Sequence, residues 1–345
     1  MAHPLPSPSE LKQALPSPSF PAQARDTAKR ILLGKDKRIA ILVGPCSIHD
    51  PRSAIEYAKR MKNLARDVEE TLFLVMRVFV EKPRSRSGWK GIIYDPYLDS
   101  SHDISSGLKI ARELLVELAE LGVPAATELL DPLASFYVDD LVTWGLIGAR
   151  TSASPVHRQM ASRLSFPVGF KNDLFGSLEP AIFGVLSARR THSHLGLDPL
   201  GRVCAIESSG NPLAHIVLRG SESGPNYDEA SIESALARLA EHQLEPRLLI
   251  DCSHGNSGKN LKKQQEAFVS VIEQASFNPK CGIAGVMMES HLFRGKQPLP
   301  EDPKRLAYGV SITDPCLSWD ETEKLLRWAD EKLSLAPTSM SCVQN

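Results

Sequence analysis

The chain carries two sets of side chains that could do chemistry together. Cys46, His254, Glu289 and Asp314 supply a thiol, an imidazole and two carboxylates, a mixed S/N/O set suited to a divalent first-row metal such as Mn, Fe, Co or Zn. Arg77, Lys82, Arg84, Arg86, Lys90, Arg150, Lys171 and Arg219 supply cations. Arginine forks match phosphate and carboxylate oxygens in pairs, and a lysine beside a reacting oxygen can donate a proton. Each residue also has a plainer reading. Cys46 could be a small core residue, His254 in SHGN a helix cap, Glu289 the partner of His291 or Arg294, and the cations rim salt bridges. Gathered at one place, they describe a metal beside a site for anionic, phosphorylated ligands.

The apolar pattern provides the means of gathering them. Short runs bounded by turn signals are RIAILVGPC, FLVMRVFVEK, PAATELL, LIGAR, PVGFKN, HIVLRG, RLLIDCSH and GIAGVMMESH, and nearly every one ends in a charged or metal-binding side chain. Helical patterns lie between most of them, over residues 53–69, 105–121, 260–274 and 320–334, the last opened by Ser318 and Glu321 as a capping box. Strand and helix in alternation predict a closed parallel (β/α)8 TIM barrel, whose strands end at one mouth. The barrel interior cannot bury so many unpaired cations, so they must face anions. In EKPRSRSGWKG, Gly and Ser also leave backbone amides open to a phosphate.

The chain has 345 residues; one barrel needs roughly 250, which predicts one catalytic domain over 36–335 rather than two. Residues 1–35, rich in Pro and Ser, are expected to form an arm, mobile or docked on a neighbouring subunit, and 336–345 a tail. The stretch at about 198–218 breaks the rhythm with RVCAIE and the turn SSGNP, which predicts a β-hairpin inserted before strand 6. A net charge of −1 gives no global attraction to nucleic acid or membrane. No apolar run approaches the ~20 residues that span a bilayer, and the N-terminus lacks a signal-peptide design. Six scattered cysteines read as reduced thiols. These features point to a cytoplasmic protein.

The runs VGPCSIHD, EKPRSRSGWKG, GARTSASPVHRQMAS, GFKN, LRG, DCSHGNSGK, GVMMESHL and YGVSITDPC resemble the class I 3-deoxy-D-arabino-heptulosonate 7-phosphate (DAHP) synthases, in order, from about residue 30 to 330. The resemblance implies a transferase that condenses phosphoenolpyruvate with erythrose 4-phosphate at the entry to the shikimate pathway, with a divalent metal. It implies Cys46, His254, Glu289 and Asp314 as metal ligands. Arg77, Lys82, Arg150, Lys171 and Arg219 would bind phosphoenolpyruvate, and Arg84 with Ser85 the sugar phosphate. Lys82 and His254 are both candidates for proton donor or relay. An arm and an inserted hairpin imply an aromatic amino acid effector and a homodimer or homotetramer.

The chain departs from the family pattern in three places: KPRSRS with Ser85 for Thr, TSASP after Arg150, and GFKNDLFG with Asp173, Leu174 and Phe175. The last two bear on the acceptor aldehyde. The alternatives are therefore a paralogue using another aldehyde, or a non-catalytic barrel that binds phosphorylated metabolites. Arabinose 5-phosphate fits less well, because its enzymes carry KANRS-like text where this chain has KPRSRS.

Overall fold

The computed structural model describes residues 3–84 and 88–335. Among the described residues ten strands form: β1 (Ile39–Gly44), β2 (Leu72–Arg77), β3 (Ala125–Glu128), β4 (Trp144–Ile147), β5 (Val168–Lys171), β6 (His192–Leu197), β7 (Val203–Ser208), β8 (Ala214–Leu218), β9 (Leu248–Asp251) and β10 (Ile283–Glu289). All but β6 and β7 close into one parallel barrel, in the order β1-β10-β9-β8-β5-β4-β3-β2. Each of the eight apolar runs supplies one barrel strand. They read as continuous rather than alternating because helices cover the outer face while side chains fill the interior: β1, β3, β4, β5, β8, β9 and β10 are buried at every position.

The covering helices start where the local chemistry stops a strand. Asp50 caps Pro51–Asp67, with Pro51 in the first turn. Asn260 caps Leu261–Phe277, and Ser318 and Glu321 form the expected capping box at Trp319–Ser334. Gly44 (φ +151°) is a required glycine, since a Cβ there would lie 3.1 Å from the backbone of Arg77. That approach lets β1 turn toward Cys46 close against the end of β2.

The arm differs from expectation. Residues 3–35 are not irregular: they form two helices packed on their own barrel. Helix α1 (Pro8–Ala14) opens with a capping box between Ser7 and Glu10. Helix α2 (Phe20–Leu32) places Ala28, Ile31 and Leu32 in one cluster with Ala40, Leu42, Val75, Ala126, Trp144, Leu249 and Met287, so it plugs the barrel floor. Arg25 Nε donates to the Val142 carbonyl, and Lys12 Nζ pairs with Asp139 at 2.7 Å. Much of the buried face of α2 is alanine, which carries a weak hydrophobic signal in sequence.

The inserted hairpin is also displaced. Its strands are β6 and β7, antiparallel, joined at residues 198–202, where Asp198 accepts from the backbone of Leu200 and Arg202. It therefore spans 192–208 rather than 198–218, and the last part of the expected range is barrel strand β8. HSHLGL was obscured because it stands away from the core and alternates between half-buried and exposed positions. Among the described residues no helix is long and apolar enough to cross a membrane.

Candidate active site

The polar strand ends converge at the mouth formed by β1, β2, β10, β9 and their neighbours. Cys46, just past β1, is fully buried. Its sulfur and one carboxylate oxygen each of Glu289 and Asp314 all lie within 4.8 Å of one another. His254 adjoins this group through Glu289: its Nε2 is 3.7 Å from Glu289 Oε1. On its other side Nδ1 stands 2.8 Å from Asp251 Oδ2, a close contact rather than an aligned hydrogen bond. His254 takes a left-handed backbone (φ +53°), a conformation that a non-glycine residue holds only where its surroundings enforce it.

Three acidic groups this close favour cations around them, and Arg77, Lys82 and Lys259 stand against them. Burial, then the Glu289 carboxylate, pushes the Cys46 thiol up from its ordinary pKa. Asp314 is steadied by Lys259 at 2.8 Å. The donor chemistry of these residues thus fits a divalent ion that would replace the thiol proton and neutralise the carboxylates.

The cations stand beside this group. Lys82 is buried, with Nζ 3.0 Å from the Cys46 carbonyl and 3.3 Å from its sulfur. Burial alone would lower its pKa, but Cys46, Glu289 and Glu128 outweigh that and hold it above the usual lysine value, so the ammonium stays charged. Arg77 is fully buried: Nη2 donates to Glu289 at 3.0 Å, its guanidinium lies 4.1 Å from the Phe79 ring centroid, and Nη1 has no partner. Lys171 pairs with Asp251 at 2.8 Å. Arg219 is buried with its backbone N–H on Asn172 Oδ1 at 2.8 Å; burial lowers its pKa, and nearby Arg150 acts in the same direction. Arg150 and Arg84 are exposed at the rim, Arg84 donating to the Trp89 carbonyl. Ser85 and Arg86 lie outside the described residues.

The structure thus brings together all the described site candidates except Arg84, which stands apart on the loop after Lys82. That loop is closed by Lys82 N–H donating to the Lys90 carbonyl at 2.9 Å.

Asp251, which closes the apolar run of RLLIDCSH, is a residue to which the sequence assigned no role. Its carboxylate contacts Lys171, His254 and the Ser253 amide. Burial would raise its pKa, but His254, Lys171 and Arg77 hold it well below the ordinary carboxylate range. It lies against Nδ1 of the imidazole, on the side away from Glu289. Strand alternation between Asp251 and Cys252 was the available signal: Cys252 packs in the outer core, and Asp251 points to the mouth. A second missed group is a set of amides. Asn172 Nδ2 donates to the Gly220 carbonyl at 2.9 Å, and Asn256 Nδ2 to the Asp251 carbonyl at 2.8 Å. Asn226 N–H donates to Asn256 Oδ1 at 2.7 Å. These bonds tie the ends of β5, β8 and β9 together, fixing Lys171, Arg219 and Asp251 on one frame.

The two divergent loops are ordered by local chemistry. In TSASP, the buried Ser152 hydroxyl donates to the Lys171 carbonyl at 2.7 Å, and Pro155 opens helix Pro155–Arg163. In NDLFG, Asp173 Oδ1 accepts from the Phe175 and Ser177 amides, which leaves Phe175 77% exposed. Asp173 also lies near enough to Arg219 to oppose the effect of burial on it.

The model of the DAHP synthetase I family matches residues 19–327. The Tyr-sensitive phospho-2-dehydro-3-deoxyheptonate aldolase of Escherichia coli (strain K12) is 45% identical over 332 residues, covering 95% of this chain and 93% of that one. The Trp-sensitive aldolase of the same strain is 43% identical over 334 residues, covering 96% and 94%. The solved structure of the phospho-2-dehydro-3-deoxyheptonate aldolase from Francisella tularensis SCHU S4 superposes with a TM-score of 0.93 at 39% identity, covering 97% of this chain and 98% of that one.

Proposed function

The chain belongs to the DAHP synthetase I family, and from that premise we propose that the mouth just described is where it condenses phosphoenolpyruvate with erythrose 4-phosphate, the first step of aromatic amino acid biosynthesis. The observation that carries the assignment is the junction of two groups: Cys46, Glu289 and Asp314 on one side, and Lys82, Arg77 and Lys171 on the other, joined by the Arg77–Glu289 and Lys82–Cys46 contacts.

A divalent ion held by Cys46, His254, Glu289 and Asp314 would act as a Lewis acid on the aldehyde; Mn, Fe, Co and Zn all suit the donors. The protein's own groups do the rest. Arg77, Lys171, Arg219 and Arg150 take the carboxylate and phosphate of phosphoenolpyruvate, offsetting the repulsion between two anionic substrates. Arg84 and Ser85 take the sugar phosphate. The bond forms between C3 of phosphoenolpyruvate and the aldehyde carbon, whose oxygen gains a proton. Water adds at C2 and phosphate leaves, giving the ketone. Lys82 is the better proton donor of the two candidates. His254 turns one nitrogen to Asp251 and the other toward Glu289, whereas Lys82 Nζ lies against the Cys46 sulfur and carbonyl and over the Phe79 ring, and stays charged.

Erythrose 4-phosphate is the acceptor in this reading. Phosphoenolpyruvate consumption with a panel of phosphorylated aldehydes tests it. Preference for erythrose 4-phosphate supports the assignment; preference for another aldehyde would make the TSASP and NDLFG loops the determinants of a different specificity.

The arm and hairpin are proposed to bind an aromatic amino acid and to serve assembly as a homodimer or homotetramer. Two relatives are named Tyr-sensitive and Trp-sensitive. Here α1 and the hairpin turn flank a cleft of about 340 Å³ lined by Lys12, Phe136, Leu197 and Asp198. The hairpin leaves Leu195 80% and Val203 73% exposed, apolar area that a second copy would cover. Deleting residues 1–15 retains α2, which plugs the barrel floor. The truncated protein is expected to keep uninhibited turnover and lose inhibition by Phe, Tyr or Trp, read in a steady-state assay. Unchanged inhibition and unchanged mass by light scattering would exclude this role. The free thiols of the described cysteines support a cytoplasmic setting.

A further inference from the structure

Gln264 occupies a slot that the helix pattern reserves for apolar residues. On Leu261–Phe277 the buried stripe runs through Gln264, Ala267, Phe268, Val271, Ile272 and Ala275. Gln264 is 2% exposed, and a buried amide is costly unless every polar atom is bonded. Its bonds all go to one place. Nε2 donates to the Glu289 carbonyl at 3.0 Å, and Oε1 accepts from the Glu289 amide at 3.2 Å and from the Ser253 hydroxyl at 2.6 Å. The last register partners of β9 and β10 are Asp251 and Met287. Beyond them, the Gln264 amide takes the place of the missing strand beside Glu289, while its oxygen holds the residue before His254.

We propose that Gln264 is a positioning residue for the metal site, setting the separation of His254 from Glu289 and thereby metal affinity and coordination geometry. The inference rests on the reading of those two residues as ligands. Side chains behind a metal's ligands are commonly worth about 10–100-fold in affinity.

The test titrates metal-stripped protein with Co²⁺, following the thiolate charge-transfer and d–d bands, for wild type, Gln264→Met, Gln264→Glu and Cys46→Ala. Gln264→Met is expected to bind Co²⁺ about 10–100-fold more weakly with shifted d–d bands, while phosphoenolpyruvate binding to the metal-free protein, read by calorimetry, is preserved. Gln264→Glu keeps the size and the two acceptor contacts but sets a second acceptor oxygen against the Glu289 carbonyl, so it should weaken Co²⁺ binding at least as much. If both Gln264 variants show wild-type affinity and bands while Cys46→Ala loses the charge-transfer band, the positioning role is wrong. If Cys46→Ala also binds as wild type, the ligand assignment beneath it has failed.

Discussion

A Cys46→Ala chain is expected to fold, to bind phosphoenolpyruvate, and to lose metal-dependent condensation by about three orders of magnitude or more. Lewis-acid polarisation is worth several kcal/mol, and each ~1.4 kcal/mol is tenfold in rate. The sulfur lies in the loop after β1 rather than in the wall of the barrel, and the cations that would hold phosphoenolpyruvate, Arg77, Lys171 and Arg219, do not depend on it. The separation is therefore diagnostic: calorimetry should still report phosphoenolpyruvate binding while turnover is gone. Full metal-dependent turnover in Cys46→Ala would remove the thiol from the ligand set.

Arg77→Met is expected to fail in two ways. Arg77 and Glu289 are 0% and 3% exposed and pair at 3.0 Å. Removing one partner of a buried pair leaves an uncompensated charge and costs about 3–5 kcal/mol. Thermal denaturation should show this loss in the metal-free protein. It should shrink when divalent metal is added, because the ion then neutralises Glu289. The same variant should raise the KM for phosphoenolpyruvate by about 10–100-fold, the loss of a charge-assisted hydrogen bond from the unpartnered Arg77 Nη1. The double variant Arg77→Met with Glu289→Gln separates the effects. It should recover much of the stability, since no lone carboxylate remains, and none of the activity. Metal-independent destabilisation would argue that Glu289 is a structural partner of Arg77 only.

The barrel was legible because its chemistry is concentrated where apolar runs stop. RIAILVGPC, RLLIDCSH and GIAGVMMESH each carry their polar residue at the strand end, and a parallel barrel places those ends together. What escaped reading has a common physical cause: its meaning lies in a partner remote in sequence. Asp251 is an ordinary strand-end carboxylate until Lys171 and His254 are seen against it. Gln264 is a polar residue on a helix until its bonds to Ser253 and Glu289 appear. The hairpin strand His192–Leu197 stands off the core, so it imposes no strong apolar period. Resemblance supplied the division of the cations between two phosphorylated substrates, which charge and spacing alone left open.

The measurement that bears most directly on the central claim is a metal titration of turnover. Protein stripped by chelator is assayed for phosphoenolpyruvate consumption with and without erythrose 4-phosphate, as Mn²⁺ is added back, for wild type and Glu289→Gln. The account predicts no consumption without metal, restoration that depends on both Mn²⁺ and erythrose 4-phosphate in the wild type, and no restoration in Glu289→Gln. Consumption that survives chelation, or a Glu289→Gln protein restored like the wild type, would contradict it.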